Sequence, residues 1–517
     1  MAEMTREEVE EILKSYAAYQ AINEAHEDVE EPIPDTNEEE ENLENKLQGS
    51  KEGEEDETSV ETSSEDNKLR DETKKADNEI HPSVPSLDGC DLSELDLSDL
   101  NFLGISMQNI NLTKAVLNRA NLSSVSLVKA NLKDAHLIDT NLSEADLLDS
   151  DLSRANLEDA NLEESNLSGT KLNEAKLERA NLRKCKLIAA NLTKSNLNEV
   201  TCGLADFSHA DMTGAQVLGA DFNRVKLSNV NLTDADFTDS KLSMSVFFGT
   251  KFIRTNLNRA QIKGSKLVKA EFTDALLTRA DLTGADLSDA RFNGTNLLRA
   301  KLGGTILRRT HLINSNLKET DLNIADLTNA QLEKVELDGA NLGRVKLNDA
   351  ILQKAQLTKA NISKGKLSGV DLSGADLSGG NMKGTDFTGA KLIGVDMSRA
   401  DLTESILENA QIKNSFLTGA DIRKANLKNV DLEGSDLSGA KLTKSNLFKA
   451  NLKGANLHRT DLEHADFSQA NLSQANLSGA KLADASFSNA ILTEANLNDA
   501  DTTDTDFSGA KGLKKQN

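Results

Sequence analysis

From Leu87 to Phe507 every fifth residue is a large apolar side chain, apart from Cys202 and Thr502, and the register never slips. The run holds 85 consecutive five-residue units, and 62 of their centres are leucine. Two residues before the centre the chain is usually small, as in Ala130-Asn131-Leu132 and Ala280-Asp281-Leu282. A strict period of five belongs neither to an amphipathic helix, with its 3.6-residue spacing, nor to a strand alternating by two. Internal repetition therefore decides the fold before local propensity does.

The centre and the small residue lie two apart, so on extended backbone both side chains point to one face. A turn must follow within the same five residues to bring the next centre back to the same axis. Leucine and phenylalanine then stack coil upon coil, each burial worth about 1.5–3 kcal/mol. Phe207, Phe222, Phe237, Phe247 and Phe252 replace leucine and predict a locally bulkier core. All four prolines (Pro32, Pro34, Pro82 and Pro85) stand ahead of the first centre. A backbone whose N–H groups pair with neighbouring strands requires that.

The unit small–polar–Leu–x–x, with Asp or Asn most frequent at its second position, resembles the pentapeptide-repeat family, whose motif is A(D/N)Lxx. The resemblance covers Pro85 to about Ala510. It implies an all-β solenoid: a right-handed quadrilateral β-helix in which four pentapeptides make one square coil. The central and small residues point inward and the other three outward. The array would then have about 21 coils and, at ~4.8 Å per coil, a length of about 100 Å. Its stability would be a sum of nearest-neighbour terms.

Domain organisation follows from composition. Residues 1–30 read as an amphipathic helical segment with Val9, Ile12, Leu13, Tyr16 and Ile22 along one face. Residues 31–84 read as an acidic disordered linker, residues 85–510 as the β-helix and residues 511–517 as a C-terminal tail. The first 84 residues hold 28 acids and 8 bases. Leu95, Leu100, Ile105 and Ile110 fill positions that are small elsewhere, which predicts a widened or capped first coil. The two ends of a β-helix are exposed edges. Members of the family dimerise tail to tail, so an end-to-end homodimer is one expectation, although no capping helix follows Phe507.

Charge narrows the function classes. The chain carries −25, but residues 85–517 hold 56 acids against 51 bases. Residues twenty apart share a face, and three faces come out near neutral. The fourth, centred on Leu97, Leu117 and onward to Leu497, has 16 acids and 10 bases. That is thin beside duplex DNA, with one charge per roughly 1.7 Å. The family includes gyrase inhibitors thought to mimic DNA, so a DNA-mimic topoisomerase-binding protein stands as one alternative. A secreted bacterial effector acting in host cells is another. Direct nucleic-acid binding is disfavoured by the sign of the charge and the scarcity of surface aromatics.

No run of eighteen apolar residues predicts a membrane span. The start lacks the pattern of a secretory leader, so a cytoplasmic protein is expected.

Chemistry has little to work with. Catalysis needs polar groups converging in a concave pocket, and no phosphate-binding loop or zinc spacing appears. The reading is not an enzyme, with no cofactor and no metal. His458, Asp461, Glu463 and His464 cluster in sequence, but their register puts the two histidines on adjacent faces. Cys90 and Cys185 fall on small inward positions and Cys202 on a centre, where they read as buried small hydrophobes. Asn101, Asn121, Asn141, Asn161 and Asn181 recur every twenty residues and predict a side-chain ladder.

The outward positions that break the polar rule matter more for function. Val128, Leu148 and Ile188 occupy equivalent outward sites. Further along, Val246, Phe248, Ile253, Val268, Ile306 and Ile313 stand with Arg254 and Arg308 as a candidate protein-docking patch. Arg259, Arg279, Arg299 and Arg309 are expected close by. The functional reading is a non-catalytic interaction scaffold for protein partners, with an acidic N-terminal arm.

Overall fold

The computed structural model describes residues 4–27 and 86–513. The linker expected over residues 31–84 lies outside them, as does the end of the tail. The chain divides into two units, Glu7–Ser86 and a second made of Met1–Arg6 with Leu87–Asn517. Helix α1 spans Arg6–Glu27. Glu7 and Glu8 in its first turn favour the positive end of the helix dipole.

The second unit is a solenoid. Parallel bridges join each residue before a centre to the one twenty positions on, from Asp91↔Asn111 to Ile491↔Lys511, without a skipped register. Twenty residues, or four pentapeptides, therefore make one coil. We number the walls by their centres: the first through Leu87, Met107 and onward to Phe507, the second through Leu92, the third through Leu97, the fourth through Phe102. Centres and small positions are buried along the array, and the remaining three positions are half-buried or exposed apart from Ser153, Asp326 and Gly343. Leu497, Thr502 and Phe507 in the last described coil are only half-buried.

A count of backbone donors explains the motif. In each unit the central N–H donates up to the next coil, as in Leu97 N to Val116 O at 2.7 Å. The N–H two residues later does the same, Asp99 N to Asn118 O at 3.1 Å. The residue before the centre donates down, Val116 N to Leu95 O at 2.9 Å, and the small residue closes a turn, Ala115 N to Leu112 O at 3.0 Å. One donor is left, on the residue after the centre. The Asp or Asn side chain accepts it, as in Ser93 N to Asp91 Oδ1 at 3.1 Å and Thr113 N to Asn111 Oδ1 at 3.2 Å. Buried backbone donors must be paired, and this is the physical reason for the polar second position.

Each unit ends on a residue with positive φ, near 50–70°: 62 non-glycine residues and 23 glycines, one for each of the 85 units. The turn across the centre and the next small residue is thus type II, whose second central residue must enter the left-handed region. The period of five requires a turn but does not by itself specify this corner. The available signal was that 23 of the chain's 31 glycines fall there.

Where the small inward position is Ser or Thr, its hydroxyl often bonds a centre's carbonyl. Thr255 Oγ1 reaches Leu232 O at 2.7 Å, and Thr305 Oγ1 reaches Leu302 O at 2.7 Å. All five phenylalanines named above are fully buried. Phe252, Phe272 and Phe292 also form a column on the second wall, with centroids 4.5 Å apart and rings parallel within 3°. At the first coils Ile105 and Ile110 are buried, whereas Leu95 and Leu100 are half-buried.

Candidate functional site

The expected docking residues divide between two walls and two levels. Val246, Phe248 and Val268 share the first wall on adjacent coils, and Ile253 stands on the second wall of the same coil as Phe248. Phe248 is 45% exposed, while Val246, Val268 and Ile253 are half-buried. Ile306 and Arg308 lie on the first wall three coils beyond Val246, with Ile313 on the second. Lys266 and Asp286 intervene in the bridge series Val246–Lys266–Asp286–Ile306. The single patch expected from sequence is thus two smaller ones.

The arginine surround is corrected. Arg259, Arg279 and Arg299 belong to the third wall, across the solenoid from Phe248. The others are engaged with acids on neighbouring coils: Arg254 with Asp234 at 2.7 Å, Arg309 with Asp289 at 2.7 Å, Arg308 with Asp326 at 2.8 Å. Asp326 is buried, which by itself would raise its carboxyl. Its bonds from Thr328 and Arg308 outweigh that and hold it down at about 2.

Lysine surrounds Phe248 instead. Lys226 and Lys266 bridge Val246 on either side, and Lys269 Nζ sits 5.7 Å from the Phe248 ring centroid, within cation–π range. Sequence signals for this were available. Between Asp239 and Glu271 the chain has seven Lys or Arg and no acid.

Charge also varies along the axis. Residues 86–170 hold 15 acids and 5 bases, and residues 171–270 hold 9 acids and 16 bases. The near-neutral array is a sum of oppositely charged bands.

The other candidates resolve simply. The asparagine ladder forms, with Nδ2 of Asn121, Asn141, Asn161 and Asn181 each donating to Oδ1 one coil below at 2.8–3.2 Å. His458 Nδ1 lies 2.9 Å from both the carbonyl and the hydroxyl oxygen of Ser478, and His464 Nδ1 lies 3.6 Å from Asp484. These contacts fall on separate walls. Cys185 and Cys202 are buried, and burial pushes the Cys185 thiol up to about 12 and Cys202 higher than usual. Cys90, expected buried, is half-buried, because it sits in the first described coil. Among the described residues no group of three His, Cys, Asp or Glu side chains could hold a metal. No helix among them is long and apolar enough to cross a membrane.

A surface depression of about 440 Å³ opens on the fourth wall. Lys383, Thr403, Arg423, Lys424 and Lys444 line it together with Asp401, Glu404 and Asp421. Arg423 is held by Asp421 at 2.6 Å.

Comparison with known proteins agrees with this architecture. The family model described as pentapeptide repeats (8 copies) matches residues 90–224, 295–363 and 366–509. A second, described as pentapeptide repeat region, matches 220–302. Among solved structures, HetL, a pentapeptide repeat protein from the cyanobacterium Nostoc involved in heterocyst differentiation regulation, is 31% identical over 40% of this chain and 90% of its own, with a TM-score of 0.22. QnrB1, a plasmid-mediated fluoroquinolone resistance protein, is 22% identical over 28% of this chain and 84% of its own, at 0.18. A pentapeptide repeat protein from the Arabidopsis thaliana thylakoid lumen is 29% identical over 21% of this chain and 68% of its own, at 0.16. Among curated proteins no relative matches.

Proposed function

The chain belongs to the pentapeptide-repeat family, and on that premise we propose that it is a non-catalytic cytoplasmic scaffold whose outward positions bind protein partners. The observation that carries this reading is an outward apolar patch with lysines around it: Val246, Phe248 and Val268 on adjacent coils of the first wall, with Phe248 45% exposed. Apolar anchors in a polar, charged rim are the usual form of a protein-binding surface. The inward positions are filled by packing side chains.

Cross-linking and affinity capture from the native lysate test this, with the full chain beside its Phe248→Asp variant. A partner retained by the full chain and lost by the variant is the expected result. Identical capture by both chains would remove the patch from the reading, and no partner above background for either would remove the scaffold.

The acidic band over residues 86–170 favours a second reading, a DNA-mimic protein directed at a topoisomerase. Its net charge of −10 over about four coils, or about 20 Å, approaches the linear charge density of duplex DNA. Stoichiometric inhibition of gyrase in a supercoiling assay, lost on reversing charges in this band alone, is what that reading requires.

A further inference from the structure

We propose that the Phe248 surface takes an acidic protein segment, one that places an aliphatic or aromatic side chain against Val246, Phe248 and Val268 and carboxylates against the lysines around them. The inference rests on the scaffold reading and names the chemistry of its partner.

Charge complementarity argues for this occupant. Residues 240–270 carry Lys241, Lys251, Arg254, Arg259, Lys263, Lys266 and Lys269 and no Asp or Glu. Neighbouring coils neutralise three of the seven: Arg254 through Asp234, Arg259 through Asp239, and Lys263 through Asp281 at 3.2 Å. Among the described residues, Lys241, Lys251, Lys266 and Lys269 have no carboxylate within ion-pairing distance. Lys266 stands beside Val246, and Lys269 lies over the Phe248 ring. Lys226, on the other side of Val246, is held by Asp206 at 3.4 Å. The apolar anchor and two of the four unpaired cations, Lys266 and Lys269, therefore coincide on one wall, while Lys251 stands on the second wall and Lys241 on the fourth.

Phe416 supplies an internal contrast. It is more exposed, at 54%, and stands on the third wall between Asp396 and Asp436. Were exposed phenylalanine alone the determinant, both sites would bind one ligand. If the lysines set the partner, only the Phe248 surface binds an acidic one. Rim charges govern such selection, and like charge excludes the wrong partner.

The test is fluorescence anisotropy on the full chain with two labelled heptapeptides. One alternates Glu with Leu and a central Phe, and the other has Lys in place of every Glu. The acidic peptide is expected to bind and to weaken as salt rises from about 50 to about 200 mM, which screens exposed charge. Phe248→Asp and the double variant Lys266→Glu/Lys269→Glu should each raise its Kd by about tenfold or more. Phe416→Asp should leave it within about twofold. Outward side chains can be exchanged without disturbing the core, and unchanged circular dichroism confirms each variant's fold.

The proposal is overturned by no binding of the acidic peptide, by binding indifferent to Phe248 and the lysines, by equal loss in Phe416→Asp, or by tighter binding of the lysine peptide. Any of these results alongside a partner captured through Phe248 would leave the scaffold standing and refute only the charge assigned to its partner.

Discussion

Gly284→Ala isolates the conformational cost of the corner that every pentapeptide turns. Gly284 has φ +68°, and a Cβ built on it meets nothing within 4 Å, so the substitution adds no clash. What it adds is a left-handed non-glycine residue, at about 1–2 kcal/mol. Reduced freedom of the unfolded chain returns about 0.4–1 kcal/mol. The net is a local destabilisation of about 1 kcal/mol. Lys359→Gly reverses the comparison, because Lys359 already sits at φ +57°, and it should stabilise its corner by up to about 1 kcal/mol.

A global melt would blur both effects, since a solenoid's stability is a sum over neighbouring coils. Native-state hydrogen exchange reads them where they occur, at the turn amide of Ala285 (to Leu282 O, 2.9 Å) and at that of Ala360 (to Leu357 O, 3.0 Å). Exchange at Ala285 should quicken about fivefold in Gly284→Ala, and exchange at Ala360 should be slowed or unchanged in Lys359→Gly. Unchanged protection in the first variant, or faster exchange in the second, would refute the claim that the left-handed corner carries a cost.

Two further predictions follow from the core and from Asp326. Phe272 stacks between Phe252 and Phe292, so Phe272→Ala should cost about 3–5 kcal/mol locally. Phe272→Leu, which restores the commonest centre and loses only the ring contacts, should cost about 1–3 kcal/mol; exchange protection in coils 252–292 distinguishes the two. The Asp326 carboxyl is held below its unfolded value, at about 2, so its stabilisation is present above about pH 4 and is lost as pH falls through 2. Arg308→Met should therefore raise the pH at which protection near Asp326 collapses and weaken that coil by about 1 kcal/mol at neutral pH. An unchanged acid limb would show that Thr328 and burial alone set this carboxyl.

How much of the candidate site was legible differs residue by residue. Phe248 was visible as an aromatic where the repeat calls for a polar residue, and the structure exposes it. Its arginine surround was misread because closeness in sequence was taken for closeness in space. Five residues carry the chain to the next wall, so Arg259 stands across the solenoid from Phe248, while Lys269, twenty-one residues away, lies over its ring. The acid-free run from 240 to 270 was readable, but summing charge by face hid it by averaging along the axis.

The sequence by itself determined the period, the inward pair of positions, the register of twenty once four units are assigned to a coil, and the asparagine ladder. Those follow because every unit repeats one local solution, so a pattern in the chain becomes a pattern in space. Only the tertiary structure decided which charges are spent. Asp234, Asp239, Asp281 and Asp326 neutralise cations on neighbouring coils, and Lys266 and Lys269 are left to face solvent beside Phe248. That partition depends on side-chain reach between adjacent coils, a distance of a few ångströms that no count along the chain contains.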